Sequence, residues 1–574
     1  TSLESTANIA QVYGASSPQA AEAKANSSKA SADFVAIGVH CAKAAALCSK
    51  ANGGVPDVLP QEPGGYSGYQ ALLGNKYVAP RIAPSQPEIT ALDGSVVKNS
   101  KGYAGFPGFD SLTPNVSLAY TLDMQTHGVP VTFAYISDAH ASHAPGGHAY
   151  GPGQTGYEAQ LAAYNHSFAV FFKRLAQAGI NKSNTMFVFT TDEGDVFAGS
   201  KPIPANCDGV HVTCHYSQIG QVNGNLTGLL STQQGVTTPF TTYNGPAPVF
   251  YLPGQPAADA PTVRSFEQAL GKLTLTNPYT GKTAPAARAL ANPLEMRILH
   301  MVTGDPARTP TAVMFSNPAY YLSAGKKVDC KTVPASQSCV YIGSSDYAWG
   351  HGSLGPVDNT IWAGLVGPGI RPTGVNTLWS DESDLQPTMA AALGLHPDYA
   401  SQGRALVGII EPSALPASLK AHHHTLAQLG QVYSQLEAPV GQLGLASLRI
   451  STRAMEGDAA AYAKGEAELA SVLTKRDRIG AQMAGLLDGA ERHGQPIPEG
   501  KARSLVSSGR QLLAQVTAAA GGSPATGRDP RRDAGQAQVG LGGAGGAGGR
   551  FRGIVVHMQL TSHGSPRPRL PARS

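Results

Sequence analysis

The central part of this chain predicts an α/β fold: a mainly parallel sheet with helices on both faces, followed by a C-terminal helical hairpin or small bundle and a disordered tail. Three observations predict it. Short apolar runs end in polar clusters. Stretches with three- and four-residue apolar spacing lie between those runs. From about residue 416 the runs stop while the helical spacing continues. The 574 residues are enough for a buried core without staples. Charged residues make up 14%, against about 25% in ordinary domains, which disfavours a solvated helical rod or a charged disordered chain. With 67 Gly and 42 Pro the chain reads as globular and loop-rich.

Residues 1–32 are Ala/Ser-rich and read as a polar segment or linker. Residues 33–415 carry the α/β pattern. Val129–Ile136 is a buried-strand run, followed by helical spacing from Tyr157 to Ala178 through Leu161, Phe168, Phe171, Phe172 and Leu175. Thr185–Thr190 is the next strand; Val249–Leu252, Ala312–Phe315 and Thr360–Val366 follow. Helices are expected over Val263–Leu273, Pro293–Val302 and Asp384–Leu393. Residues 416–520 keep only helical spacing, as at Leu469, Val472, Leu473, Ile479, Met483, Leu486 and Leu487, and read as two or three helices. Residues 521–574 are Gly/Ala-rich with scattered Arg, and read as disordered.

Net charge is +4 with no dense basic stripe, so nucleic acid is not an expected partner. No apolar run approaches the roughly 20 residues of a transmembrane helix. The six cysteines fall into local pairs: Cys41 with Cys48, Cys207 with Cys214, Cys330 with Cys339. None has the spacing of a zinc knuckle. Three short disulfide loops and an extracytoplasmic, periplasmic or secreted, location are the expectation, with six buried thiols as the alternative.

Chemistry in an open α/β sheet gathers at strand carboxyl ends, and three such places are unusual. After the first strand comes Ser137-Asp138-Ala-His140-Ala-Ser-His143-Ala-Pro-Gly-Gly-His148. One carboxylate and three imidazoles there suit a transition-metal ion. After the second comes Asp192-Glu193-Gly194-Asp195, whose acids repel one another unless a cation sits among them. The third is Trp349-Gly350-His351-Gly352, where flanking glycines leave the imidazole free to project. A polar loop, a solvated acidic turn and a lone surface histidine are the plainer alternatives. His422-His-His424 reads as a solvated helix start.

The order Asp…His, an acidic group closing a strand, His-Gly, then Asp384-Leu-Gln-Pro-Thr388 before Leu393-Gly-Leu395, resembles the alkaline phosphatase superfamily. It is most similar to bacterial secreted phosphoesterase-family proteins. Asp138…Gly147-His148-Ala-Tyr-Gly151-Pro152 resembles a nucleotide-pyrophosphatase motif with wider spacing. The resemblance covers about residues 34–515. It implies two divalent metal ions, Zn or Mn, with Asp138, His140, His143 or His148, and His351 around one, and Asp192 and Glu193 at the other. It implies hydrolysis of a small phosphate-ester substrate. Two departures stand out. Val196 occupies a place where those relatives carry His. No strand–Asp–Thr/Ser element precedes Asp138: in Asp33-Phe-Val-Ala-Ile-Gly-Val39 the acid comes before the strand, and Asp57 lies in a Gly/Pro loop. The expectation is that the first strand, the nucleophile and one ligand are missing upstream of Thr1. The alternative is a non-catalytic relative that binds a metal or an anionic ligand without turnover.

Overall fold

The computed structural model describes residues 5–39, 69–71, 74–142, 147–302, 304–332, 339–397, 400–521 and 554–559. Its organising sheet has four strands. They are β1 (Val131–Ala134), β2 (Thr185–Thr190), β3 (Ala363–Val366) and β4 (Ile554–Gln559), in the order β3-β2-β4-β1. β4 is antiparallel to both of its neighbours, and β3 is antiparallel to β2. β1 and β2 therefore run in the same direction, and their C-terminal ends leave the sheet at one edge.

Helices pack on both faces of β2 because successive side chains of a strand point opposite ways. Phe187 and Phe189 meet α1 (Pro114–Thr126) and α2 (Thr155–Gln177) through Leu118, Phe171 and Leu175. Met186 and Val188 face the other way, toward Leu385 and Met389 of α3 (Leu385–Ala392) and the core of the helical region. A strand buried on both faces reads as the near-continuous apolar run seen in the sequence.

The mainly parallel sheet is not what forms. Among the described ladders only Val222–Asn225 with Tyr320–Ser323 is parallel. A second four-stranded sheet, containing Val249–Tyr251 and Ala312–Phe315, is antiparallel throughout. Apolar runs separated by helices look like βαβ units, but the pattern does not encode strand direction, and these two strands pair antiparallel across some sixty intervening positions. The tail also departs from expectation: Ile554–Gln559 is an apolar, β-branched run that pairs as β4, and averaging it with the surrounding Gly and Arg hid it. Residues 1–32, read as a polar segment or linker, instead contribute three short helices, the last running on to Phe34. Ser17 and Asn26 cap the second and third by accepting from Ala20 N and Lys29 N, and Ile9, Ala30 and Phe34 are buried.

The helical region contains four long helices: α4 (His423–Glu437), α5 (Gln442–Glu456), α6 (Ala459–Glu491) and α7 (Glu499–Ala519). The His422 to His424 tract does open a helix, with Glu499 3.1 Å from His422. Gly509 lets α7 approach α4 closely, since a Cβ there would lie 2.4 Å from Val432. Polar anchors join this region to the rest. Asn292 N donates to Ser451 Oγ, Leu290 N donates to Thr452 Oγ1, and Arg264 lies on the Tyr462 ring while pairing with Glu267. Ser447 Oγ donates to Oε1 of fully buried Glu295, whose Oε2 has no hydrogen-bond partner.

Disulfides join Cys207 to Cys214 and Cys330 to Cys339, with Cα separations of 5.2 and 5.4 Å. Cys41 and Cys48 lie outside the described residues. Among the described residues no helix is long and apolar enough to cross a membrane.

Two outcomes follow from this packing. Mapping of non-reduced peptides should recover both bridges, and reduction should cost roughly 2–3 kcal/mol for each loop of this length. Burial pushes the Glu295 carboxyl from 4.5 up to about 8. The unfolded chain therefore loses this proton first as pH rises, so folding stability falls between pH 4.5 and about 8. Glu295→Gln removes that loss. Thermal melting should show a Tm higher by about 2–8 °C at pH 8.5 and little change at pH 4.5; an equal shift at both pH values would rule this origin out.

Candidate metal centre

Because β1 and β2 end at the same edge, the loops that follow them meet. The loop after β1 is fixed by Ser137, whose N–H donates to Leu112 O and whose carbonyl accepts from the Tyr164 hydroxyl. It carries Asp138 and His140. The loop after β2 carries Asp192, Glu193 and Asp195, and is tied down by the Gly194 N–H donating to Asp358 O at 2.9 Å.

The third contributor arrives through a two-residue ladder. Val196 and Phe197 pair antiparallel with Gly350 and Trp349. Continuing that register by one residue places Asp195 beside His351, and His351 Nδ1 lies 2.8 Å from Asp195 Oδ1. Only glycine is tolerated at position 350, where a Cβ would lie 1.9 Å from the Pro318 carbonyl oxygen. Trp349 extends the support: its ring stacks on His140 at 5.0 Å and its Nε1–H donates to Tyr150 O. The Val196 side chain brings no ligand, but its backbone brings two together.

The result is two overlapping groups of metal-ligand type. One is Asp138, His140 and Asp195; the other is Glu193, Asp195 and His351; within each, the donor atoms lie within 4.8 Å of one another. Asp195 is shared, with its Oδ2 3.2 Å from His140 Nε2 and its Oδ1 facing His351. His140 Nε2 is 3.6 Å from Asp138 Oδ2, and His351 Nε2 is 3.3 Å from Glu193 Oε1. The Asp195 side chain is only 6% exposed, whereas those of Asp138, Glu193 and His351 are 43%, 40% and 49% exposed. The pivot is buried and the rim is open to solvent.

Crowding shows in the titrations. The hydrogen bond with Asp195, reinforced by Glu193 and Asp138, pushes His351 up to about 9. Burial raises the Glu193 carboxyl, and repulsion from Asp192, Asp195 and Asp138 raises it further. Tyr135, at the end of β1, is held well above its usual range by burial and by Asp138 and Asp192, so its hydroxyl keeps its proton. The donor set of two imidazoles and three carboxylates suits Zn or Mn, and the pivot's two oxygens turn toward different imidazoles, as a bridging carboxylate would.

Not every expected ligand joins. His148 is exposed with its ring edge-on to Tyr150, and belongs to neither group. Asp192 is exposed and accepts from Glu193 N rather than entering either group. His143 lies outside the described residues. Asp195 was not among the expected ligands, although it sits in the acidic cluster. Its signal was the register that pairs the residue before Val196 with the residue after Gly350, which single-sequence spacing does not reveal.

Isothermal titration with Mn²⁺ should find two sites in the intact chain. Asp195→Asn should abolish both, with a fall in affinity of about 10-fold or more at any remnant. His351→Ala should remove one, and His148→Ala neither; loss of both sites in His148→Ala would displace the centre to another place. No protein-family model matches the chain, and comparison with curated proteins and with solved structures finds no similar protein, so the assignment of this centre rests on its geometry.

Proposed function

We propose that this chain is a metal-dependent phosphoester hydrolase with a two-ion centre, working in an extracytoplasmic compartment. One observation carries the reading: the buried Asp195 carboxylate, with one oxygen toward each of two ligand groups. The resemblance in motif order points the same way. The two disulfides and the lack of a membrane-spanning helix among the described residues are compatible with that compartment.

Asp138 and His140 would hold one divalent ion, and Glu193 and His351 the other. Bound together, such ions polarise a phosphoryl oxygen and make a nucleophile available at neutral pH. The chain's own residues do the rest. Trp349 fixes the His140 plane by stacking. The open rim of Asp138, Glu193 and His351 admits the ester from solvent. The Tyr135 hydroxyl is a protonated donor beside the carboxylates. The Thr or Ser nucleophile implied by the resemblance has no counterpart in the motifs of residues 1–574, so turnover by this chain is expected to be slow.

The test is hydrolysis of p-nitrophenyl phosphate and bis(p-nitrophenyl) phosphate by residues 1–574 with Zn²⁺ or Mn²⁺. Slow release of p-nitrophenol, abolished by chelator and lowered about 100-fold or more by Asp195→Asn, is the expected result. Turnover that survives Asp195→Asn would refute the site. Two bound ions with no turnover of either ester would favour the non-catalytic binding protein.

A further inference from the structure

Between β1 and β2 lies a slot one strand wide, and the chain fills it from its far end. β4 pairs with β1 through Val555–Met558 and with β2 through Ile554–Gln559, antiparallel to both. β1 and β2 share no ladder of their own. Neighbouring strands lie about 4.8 Å apart, so these two stand about 9.6 Å apart across β4, beyond direct backbone pairing.

The tether that brings β4 there is long and adds little burial. Residues 520–553 separate the end of α7 at Ala519 from Ile554. Gly542–Gly549 is Gly and Ala throughout, and Val539, Leu541 and Phe551 are the only large apolar side chains of the stretch. With so little apolar surface in the tether, β4 enters the sheet on the strength of its own pairing, against the entropy of closing a long loop.

The two ligand groups depend on this slot unequally. Asp138 and His140 follow β1 and Asp195 follows β2, so the group Asp138–His140–Asp195 spans the slot. Glu193 and Asp195 both follow β2, and His351 reaches them through the Val196–Phe197 ladder, so the second group does not span it. Metal–ligand distances tolerate about 0.2 Å. When β4 leaves, the freed backbone groups of β1 and β2 must find water or each other. Closing on each other moves one strand toward the other by a full step of about 4.8 Å. The Trp349 stack carries His140 with the ladder, but Asp138 follows Ser137, which is held by Leu112 and Tyr164 instead. The displacement therefore falls between Asp138 and Asp195.

We propose that β4 is a conditional strand: its insertion assembles the Asp138–His140–Asp195 site, and an ion bound there holds the strand in. The coupling is reciprocal, because an ion that binds only the inserted form stabilises that form by the same factor. It rests on the two-ion centre of the proposed function, and not on the reaction that centre performs. Whatever cleaves or captures the tail then releases one ion and leaves the other.

The test uses the full chain and reads Mn²⁺ calorimetry and hydrogen exchange rather than turnover. Val555→Pro and Val556→Pro each remove a backbone N–H from the middle of a strand paired on both sides. Ala547→Pro, in the tether, is the control. Each strand variant should weaken one Mn²⁺ site at least about 10-fold and leave the other within about 3-fold, while the control changes neither. The surviving site shows that the rest of the centre is folded. In the unaltered chain, saturating Mn²⁺ should slow exchange of the Ile554–Gln559 amides at least about 10-fold. Asp138→Asn should abolish that slowing, and His351→Ala should keep it. Unchanged affinity at both sites in both strand variants would overturn the coupling, and so would equal weakening of the two sites. Exchange at Ile554–Gln559 that ignores Mn²⁺ would do the same. A chain that binds no Mn²⁺ at all would sink the coupling and the centre together. The expected pattern without any ester hydrolysis would uphold the coupling and count against the hydrolase reading alone.

Discussion

A two-residue antiparallel ladder, Val196–Phe197 against Trp349–Gly350, is the constraint on which the rest of the centre depends. It delivers Asp195 to His351 across a sequence separation of 156 and orients Trp349 to stack on His140. The arrangement is electrostatically expensive. Two unit charges of like sign about 4 Å apart cost about 4 kcal/mol at an effective dielectric constant near 20. Three carboxylates meet here, the buried pivot Asp195 among them. In the absence of an ion, the raised proton affinity of His351 offsets part of that repulsion. A protonated His351 therefore sits at the point where the Glu193 and Asp195 carboxylates come closest to it.

The ladder works because the sheet beneath it is arranged to bring two loops to one edge. β1 and β2 are not neighbours; β4 lies between them, antiparallel to each. Only the relative direction of β1 and β2 matters to the centre, and that direction is common to both. For this reason residues from the carboxyl ends of these two strands come together even though the mainly parallel sheet does not form. The first depends on two strands, the second on every pairing in the chain.

The same distinction explains what could be read from sequence. β1, β2 and α2 were legible because each carries its own periodicity, and Asp138, His140, Glu193 and His351 because they sit directly at the ends of such elements. Asp195 as pivot was not legible, since it follows from a register between segments far apart. His148 and Asp192 stand outside both groups for a related reason. Spacing shows that a histidine or an acid is near a strand end, but not which way its side chain turns, and theirs turn to Tyr150 and to the Glu193 amide. The antiparallel direction of Val249–Tyr251 against Ala312–Phe315, and the recruitment of Ile554–Gln559 into the sheet, lie wholly in tertiary pairing.

The helical region matters to the site through the space it leaves. α4 contributes Tyr433 and Glu437 to a cavity beside the centre, which Asp192 and Glu193 also line, while Arg476 of α6 is held between Glu437 and the Ile298 carbonyl rather than facing inward. Arg476 thus answers the charge of Glu437 from outside the lining, and the same guanidinium ties α6 to the end of the Pro293–Ile298 helix.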